Sequence, residues 1–247
     1  MKTLKLDSEV MSIIEKKIQM IKTKDEAIYL VGPVRLPVRL DSKTHIFHWY
    51  SWLKLNEIID FGELINRLPS LNLAEFQQSS VLVYGDFEHS EHALVRLHSI
   101  CHTGDIFGSE RCDCGFQLKQ SFQMIVEHGS GAIFYLANHE GRGIGLFSKT
   151  LAYVLQENGY DTVDANLSLG FQDDERKYDE AIQVLKALRT KPVSLITNNP
   201  NKLMALRDSG MNVIGRTPLW GGVSKHNEKY LKTKIERSGH LKEGGSL

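Results

Sequence analysis

All three cysteines of this 247-residue chain fall in one polar stretch, Cys101, Cys112 and Cys114, spaced Cys-x10-Cys-x-Cys. Thiolates are soft ligands, and three converging on one point suit Zn²⁺. Three protein ligands leave a tetrahedral ion one open position, the geometry of a catalytic zinc that holds a water. Gly104 and Asp105 suit a turn that brings Cys101 back toward the other two. Two further readings stay open. The thiols can pack as small hydrophobes, although His102, Asp105, Glu110, Arg111 and Asp113 make the segment polar. Alternatively, the zinc is structural, with His98 or His102 as a fourth ligand.

The length fits one large domain or two small ones. Thirty basic and thirty acidic residues give zero formal net charge, so no global field favours nucleic acid or an anionic membrane. The start, Met1-Lys2-Thr3-Leu4-Lys5, has no apolar core of signal-peptide length, and no run approaches a membrane span. An odd cysteine count fits a reducing compartment better than a disulfide framework, so a cytoplasmic protein is expected.

Apolar residues at three-to-four spacing predict a helix from Ser8 to about Lys22. Short strands are expected at Ala27–Val31 and Val38–Leu40, broken at Gly32-Pro33 and Pro37, with an aromatic-rich strand at His45–Leu55. Ile58–Leu68 reads as helical. Polar residues from Leu71 to Ser80 mark a boundary between a lead segment, 1–79, of unassigned role and a main domain, 80–247. In the main domain, strands at Ser80–Tyr84, His92–His98, Ala132–Ala137, Val193–Thr197 and Met211–Ile214 alternate with helices. The helices are expected at Gly115–His128, Leu146–Asn158 and Tyr178–Arg189, with a fourth capped by Asn199 and ended by Gly210. This alternation predicts a mixed α/β sheet domain. The tail after Leu241 reads as loose.

Three other stretches could carry chemistry. Glu140-Gly141-Arg142-Gly143-Ile144-Gly145 links a strand to a helix, where glycines let backbone approach a ligand and Arg142 can fork onto phosphate. It lacks the spacing of a dinucleotide or Walker loop, and a plain connection reads the same. Asp173-Asp174-Glu175-Arg176 precedes a helix, where acids are expected for capping. Thr197-Asn198-Asn199-Pro200-Asn201-Lys202 joins a strand end to a helix start, where open α/β sheets bind ligands. His89-Ser90-Glu91 matches half of a zinc-deaminase signature, but the P-C-x-x-C half is missing.

Taken in order, these motifs resemble GTP cyclohydrolase II, the family that opens riboflavin synthesis. The likeness runs from about Val81 to His240. It is carried by Arg96-Leu97-His98-Ser99, Cys101-His102-Thr103-Gly104-Asp105, Arg111-Cys112-Asp113-Cys114-Gly115-Phe116-Gln117-Leu118, Glu140 to Leu146, Gly159-Tyr160-Asp161-Thr162, Asp174-Glu175-Arg176 and Thr197 to Lys202. The resemblance implies one zinc per chain on Cys101, Cys112 and Cys114. It implies GTP contacts from Arg96, Leu97, His98, Ser99, Ile100, Gln117, Glu140, Gly141, Arg142, Thr162, Thr197 and Lys202. Asp174 matches the family's assigned proton acceptor, Arg176 its assigned nucleophile, and Tyr153 a tyrosine tied to completing ring opening. Mg²⁺ with the triphosphate, a homodimer, and release of formate and pyrophosphate follow from the same likeness. A guanidinium stays protonated and is a poor nucleophile, so stabilising phosphoryl charge is the more economical role for Arg176.

Two positions depart from the family pattern: Ile100 stands where Glu is usual and His139 where Gln is usual. Too few residues precede the match for the butanone-phosphate synthase domain fused in some relatives, and none is expected. Two other functions fit the same residues: a paralogue that retains the formyl group, and a nucleotide-binding regulator with structural zinc.

Overall fold

The computed structural model describes residues 8–242. In chain order its elements are α1 (Ser8–Glu15), β1 (Ile18–Lys22), β2 (Ala27–Leu40), β3 (Lys43–Leu55), α2 (Phe61–Arg67), β4 (Ser80–Tyr84), β5 (Ala93–Ser99), α3 (Cys114–His128), β6 (Gly131–Leu136), α4 (Leu146–Glu157), α5 (Thr162–Ser168), α6 (Asp179–Leu188), β7 (Val193–Ile196), α7 (Pro200–Asp208), β8 (Val213–Thr217) and α8 (Glu228–Glu236). Among these residues one sheet holds eight strands in the order β1-β2-β3-β4-β6-β5-β7-β8. Neighbours from β1 to β6 in that order run antiparallel, while β6-β5-β7-β8 are parallel. The chain thus adopts the mixed α/β class expected from its sequence.

The first elements differ from expectation. The helix at Ser8 stops at Glu15, and Ile18–Lys22 forms a strand paired with residues 27–31 of β2. Ile18 and Ile21 suit either period, and pairing with a neighbour one tight turn away decides for the strand. The two expected short strands are one, β2, which continues past Pro33 and Pro37 with an irregularity between Val31 and Val34. Beyond Val31, β2 pairs only with β3, and a strand with one open side tolerates proline. The start at Met1–Lys5, and the tail after Leu241 apart from Lys242, lie outside the described residues.

The division expected near residue 80 falls between hydrogen-bonded strands, with Tyr50 of β3 opposite Val81 of β4. Trp52 of β3 shares a core with Phe134 of β6, ring centroids 6.3 Å apart, and that core continues through Leu97, Leu185, Leu195 and Leu203. On the other face, Phe47 meets Phe122 of α3 edge-on at 5.3 Å, beside Ile125, Ile133 and Ile196.

Two consequences position the site. The C-terminal ends of β5, β6 and β7 point the same way, and the loops that open from them hold Cys101, Glu140 and Thr197, where open α/β sheets bind ligands. The period of two along β5 puts Val95 and Leu97 in the core that holds α6 and α7. Arg96 and His98 then share the opposite face with Leu94, which packs with α3 residues.

Candidate active site and metal centre

After β5 the chain enters one wide π-type turn, His102–Ile106. Asp105 fixes this turn: its Oδ2 accepts from the Cys101 amide at 2.9 Å and the Tyr135 hydroxyl at 3.0 Å, and it meets His98 Nε2 at 3.0 Å. Cys112 and Cys114 enter from the start of α3, and the three sulfurs lie within 4.8 Å of one another. Cys101 and Cys112 Sγ are 3.6 Å apart. With Zn–S near 2.3 Å, a tetrahedral ion needs sulfurs roughly 3.8 Å apart, so the donor set fits zinc. A side chain at Gly104 would put its Cβ 3.1 Å from Cys112 Sγ and 3.2 Å from Cys101 Sγ, so only glycine leaves the sulfurs their room. Neither His98 nor His102 joins the cluster among the described residues, which leaves a fourth position free of protein ligands there. Hydrogen bonds from Cys112 and Cys114, and then the Lys149 charge, draw Cys101 toward its thiolate, while the bond to Cys101 pushes Cys112 up to about 11.

Beside the sulfurs opens a cleft lined among others by Ser99, Ile100, Glu140, Gly141, Arg142, Tyr153, Thr162 and Arg176. The Tyr153 hydroxyl lies 3.5 Å from Thr103 Oγ1, and the Arg111 guanidinium covers the ring at 4.2 Å from its centre. Burial raises the Tyr153 phenol above its usual range. Glu140 is enclosed, and its oxygens are taken: Oε2 by the His102 amide at 2.7 Å, Oε1 by Lys149 at 2.6 Å and the Gly141 amide at 3.1 Å. Its side chain ties the two loops together at the wall of the cleft.

Arg142 takes a left-handed φ of +67° and its guanidinium pairs with Asp173. Gly143 at φ +96° lies so close to the 173–176 loop that a Cβ would meet Glu175 Cβ at 3.0 Å. The acids at 173–175 do not cap a helix, since α6 begins later, at Asp179. They pair instead. Arg176 donates Nε to Asp174 Oδ1 at 2.7 Å and Nη2 to Asp174 Oδ2, and Nη1 to Ser99 Oγ at 3.2 Å. Burial works to raise the Asp174 carboxyl, but the Arg176 bonds and charge outweigh it and hold it below the usual range. His139 Nε2 donates to the Lys177 carbonyl at 2.9 Å, so Nδ1 is the acceptor for Ser99 Oγ at 3.2 Å. Burial holds this imidazole neutral, with its pKa lowered to about 3.

A second cleft shares Ser99, Cys114, Arg176 and Tyr230 with the first. It adds Arg96, His98, Gln117, Thr197, Lys202, Lys234 and His240. Lys202 is enclosed and its Nζ donates to the Leu97 carbonyl at 2.7 Å. Burial, then the nearby Arg96 and Arg176 charges, push its pKa well down. An anion in the cleft would relieve that crowding. Leu97 itself sits in the core and presents only its backbone here.

Sequence reasoning missed several residues of these walls. Lys149 Nζ lies 3.3 Å from Cys101 Sγ. The Tyr230 hydroxyl of α8 approaches Cys114 Sγ at 3.9 Å, and Lys234, one turn on, binds Asp113 at 2.8 Å. Asn166 of α5 lines the first cleft with a buried amide nitrogen that has no partner.

The family model for GTP cyclohydrolase II matches residues 71–218. GTP cyclohydrolase-2 of Acinetobacter baumannii is 53% identical over 192 residues, 75% of this chain and 96% of the relative. The same-named protein of Colwellia psychrerythraea is 46% identical over 191 residues, 73% of this chain and 94% of the relative. The riboflavin biosynthesis protein RibBA of Phocaeicola vulgatus is 49% identical over 197 residues, 76% of this chain but 48% of that protein. The chain spans about half the length of the RibBA relatives it matches. Because the matched stretch takes in the three cysteines and all three strand-end loops that build the two clefts, the chain belongs to the GTP cyclohydrolase II family.

Proposed function

We propose that this protein hydrolyses GTP in the first step of riboflavin biosynthesis. It opens the guanine imidazole ring and releases formate and pyrophosphate, leaving 2,5-diamino-6-hydroxy-4-(5-phosphoribosylamino)pyrimidine. The observation that supports this reading is one cleft with three convergent thiols opening into another crowded with cations. Metal-assisted attack of water suits the first and a triphosphate suits the second.

When bound, zinc supplies a Lewis acid and a water of lowered pKa for attack at C8. The chain's residues do the rest. Tyr153, beside Thr103, holds or moves a proton at its hydroxyl during loss of the formyl carbon. Arg176 spreads the charge that develops at the α-phosphoryl group, and Asp174 aims it through the two-point fork. Arg96, Arg142 and Lys202, with Mg²⁺, balance the phosphates. Ser99, Ile100, Gln117, Gly141, Thr162 and Thr197 complete the GTP contacts, with backbone from Leu97 and support from His98 and Glu140. We assign this chemistry to residues 80–247, and strands β1–β3 of the lead segment 1–79 extend the sheet. Among the described residues no helix is long and apolar enough to cross a membrane, and we place the protein in the cytoplasm.

Incubation of the purified protein with GTP and Mg²⁺ tests the reading, with formate and pyrophosphate both measured. Release of both is expected. Pyrophosphate alone would mean a formyl-retaining paralogue, and neither product a binding protein.

We also propose a homodimer, supported by an apolar stripe on α4. Phe147, Leu151 and Val154 lie on one face and are exposed, Phe147 by 80%. Phe147→Glu is expected to shift the protein to a monomer by sedimentation velocity. An unchanged sedimentation coefficient, whether dimeric or monomeric, would remove this face from assembly.

A further inference from the structure

Lys149 lies on α4, where a lysine would ordinarily reach solvent, yet only 7% of it is exposed. Its ammonium has three partners: Cys101 Sγ at 3.3 Å, Thr103 Oγ1 at 3.3 Å and Glu140 Oε1 at 2.6 Å. A buried carboxylate alone would explain one of these contacts. It does not explain the contact to sulfur, because Glu140 has other donors in the His102 and Gly141 amides.

We infer that Lys149 is a positioning residue that tunes the metal centre, its ammonium donating to the Cys101 sulfur and offsetting the negative charge of three thiolates. The inference rests on zinc occupying the three cysteines. A dication on three thiolates keeps one net negative charge, and Glu140 adds a second nearby. Lys149 cancels one of the two. Its N–H···S bond also draws electron density from the thiolate, which leaves the metal a stronger Lewis acid. Through Glu140 the same ammonium fixes the amides of His102 and Gly141, so the thiol loop and the glycine loop are held as one unit.

The test uses the full chain reconstituted with Co²⁺, whose thiolate-to-cobalt absorption reports donor strength directly, together with zinc retention against a competing chelator. Lys149→Met is expected to move the charge-transfer band to longer wavelength, because the sulfur loses an N–H donor, and to weaken zinc retention by about 10–100-fold, because the loops of Cys101 and Gly141 lose their common anchor. Lys149→Arg keeps a cation and N–H donors and should recover most of both. Lys149→Met with Glu140→Gln removes both buried charges and guards against a misfolded single variant. It should still show the shifted band. A wild-type band in the double variant would make Lys149 a mere counter-ion of Glu140 and overturn the inference. So would unchanged band and retention in Lys149→Met. Failure of the wild-type chain to hold zinc or cobalt would instead strike the metal reading itself, and the inference with it.

Discussion

Cys112→Ser is expected to leave the protein without zinc and without ring opening. The substitution is nearly isosteric, so the fold should stand. A hydroxyl, however, does not give up its proton to zinc as a thiol does, and two thiolates hold the ion far more weakly than three. Cys101 and Cys112 sulfurs sit 3.6 Å apart in a cavity whose size depends on the missing Cβ of Gly104. The loss therefore strikes a preformed donor set. Turnover should fall by roughly 10³-fold or more, because without a bound ion the attacking water returns toward its bulk acidity. Metal analysis of the purified variant, with formate release, checks both halves. Gly104→Ala is the subtler companion: its methyl would crowd two sulfurs at once, and partial zinc loss is expected without any ligand being removed. Full turnover in a zinc-free Cys112→Ser protein would refute the assignment.

Arg176→Ala is expected to cost on the order of 10²-fold or more in turnover, as removal of a preorganised charge donor does. Arg176 lines both clefts and is aimed by three hydrogen bonds, two to Asp174 and one to Ser99. Its own group is held protonated: burial opposes the charge, but Tyr178 and Asp174 outweigh it. A protonated guanidinium stabilises phosphoryl charge and does not attack it. Arg176→Lys should keep a measurable fraction of activity, since a cation remains without the planar fork. Neither protein should form a covalent nucleotide adduct. Rapid quench with labelled GTP, followed by intact-protein mass, decides the matter. A nucleotidyl adduct on Arg176 of the wild-type chain would contradict this role. The same geometry bears on Asp174. With its carboxyl drawn below the usual range by Arg176 it is a weak base, and aiming Arg176 is the role its contacts support.

Much of the main domain is written in local pattern. The alternation of apolar runs and capped helices from Ser80 to Ile214 needs only nearest neighbours to be read, and the cysteine spacing announces its own chemistry. What stayed hidden depends on long-range pairing. Ile18–Lys22 carries a pattern that serves helix and strand alike, and its partner in β2 decides. Pro33 and Pro37 read as breaks, yet β2 tolerates them where one side has no strand neighbour. The helix α8 was missed because its buried face holds a lysine, and Lys234 belongs inside only because Asp113 waits 121 positions away. Lys149 was missed for the same reason: Cys101 and Glu140 meet it only once β5, β6 and α4 have come together. His139 was visible as an odd residue, but its bond to Ser99, and through it to Arg176, was not.

The central claim is that a metal held by Cys101, Cys112 and Cys114 serves to open the guanine ring of GTP. GTP labelled with ¹⁴C at C8, given with Mg²⁺ to zinc-loaded and zinc-stripped protein, tests it most directly. The account predicts labelled formate in step with pyrophosphate from the loaded protein, next to none from the stripped protein, and recovery on adding zinc back. Label retained in the nucleotide by the loaded protein, or formate released at full rate by the stripped one, would contradict it.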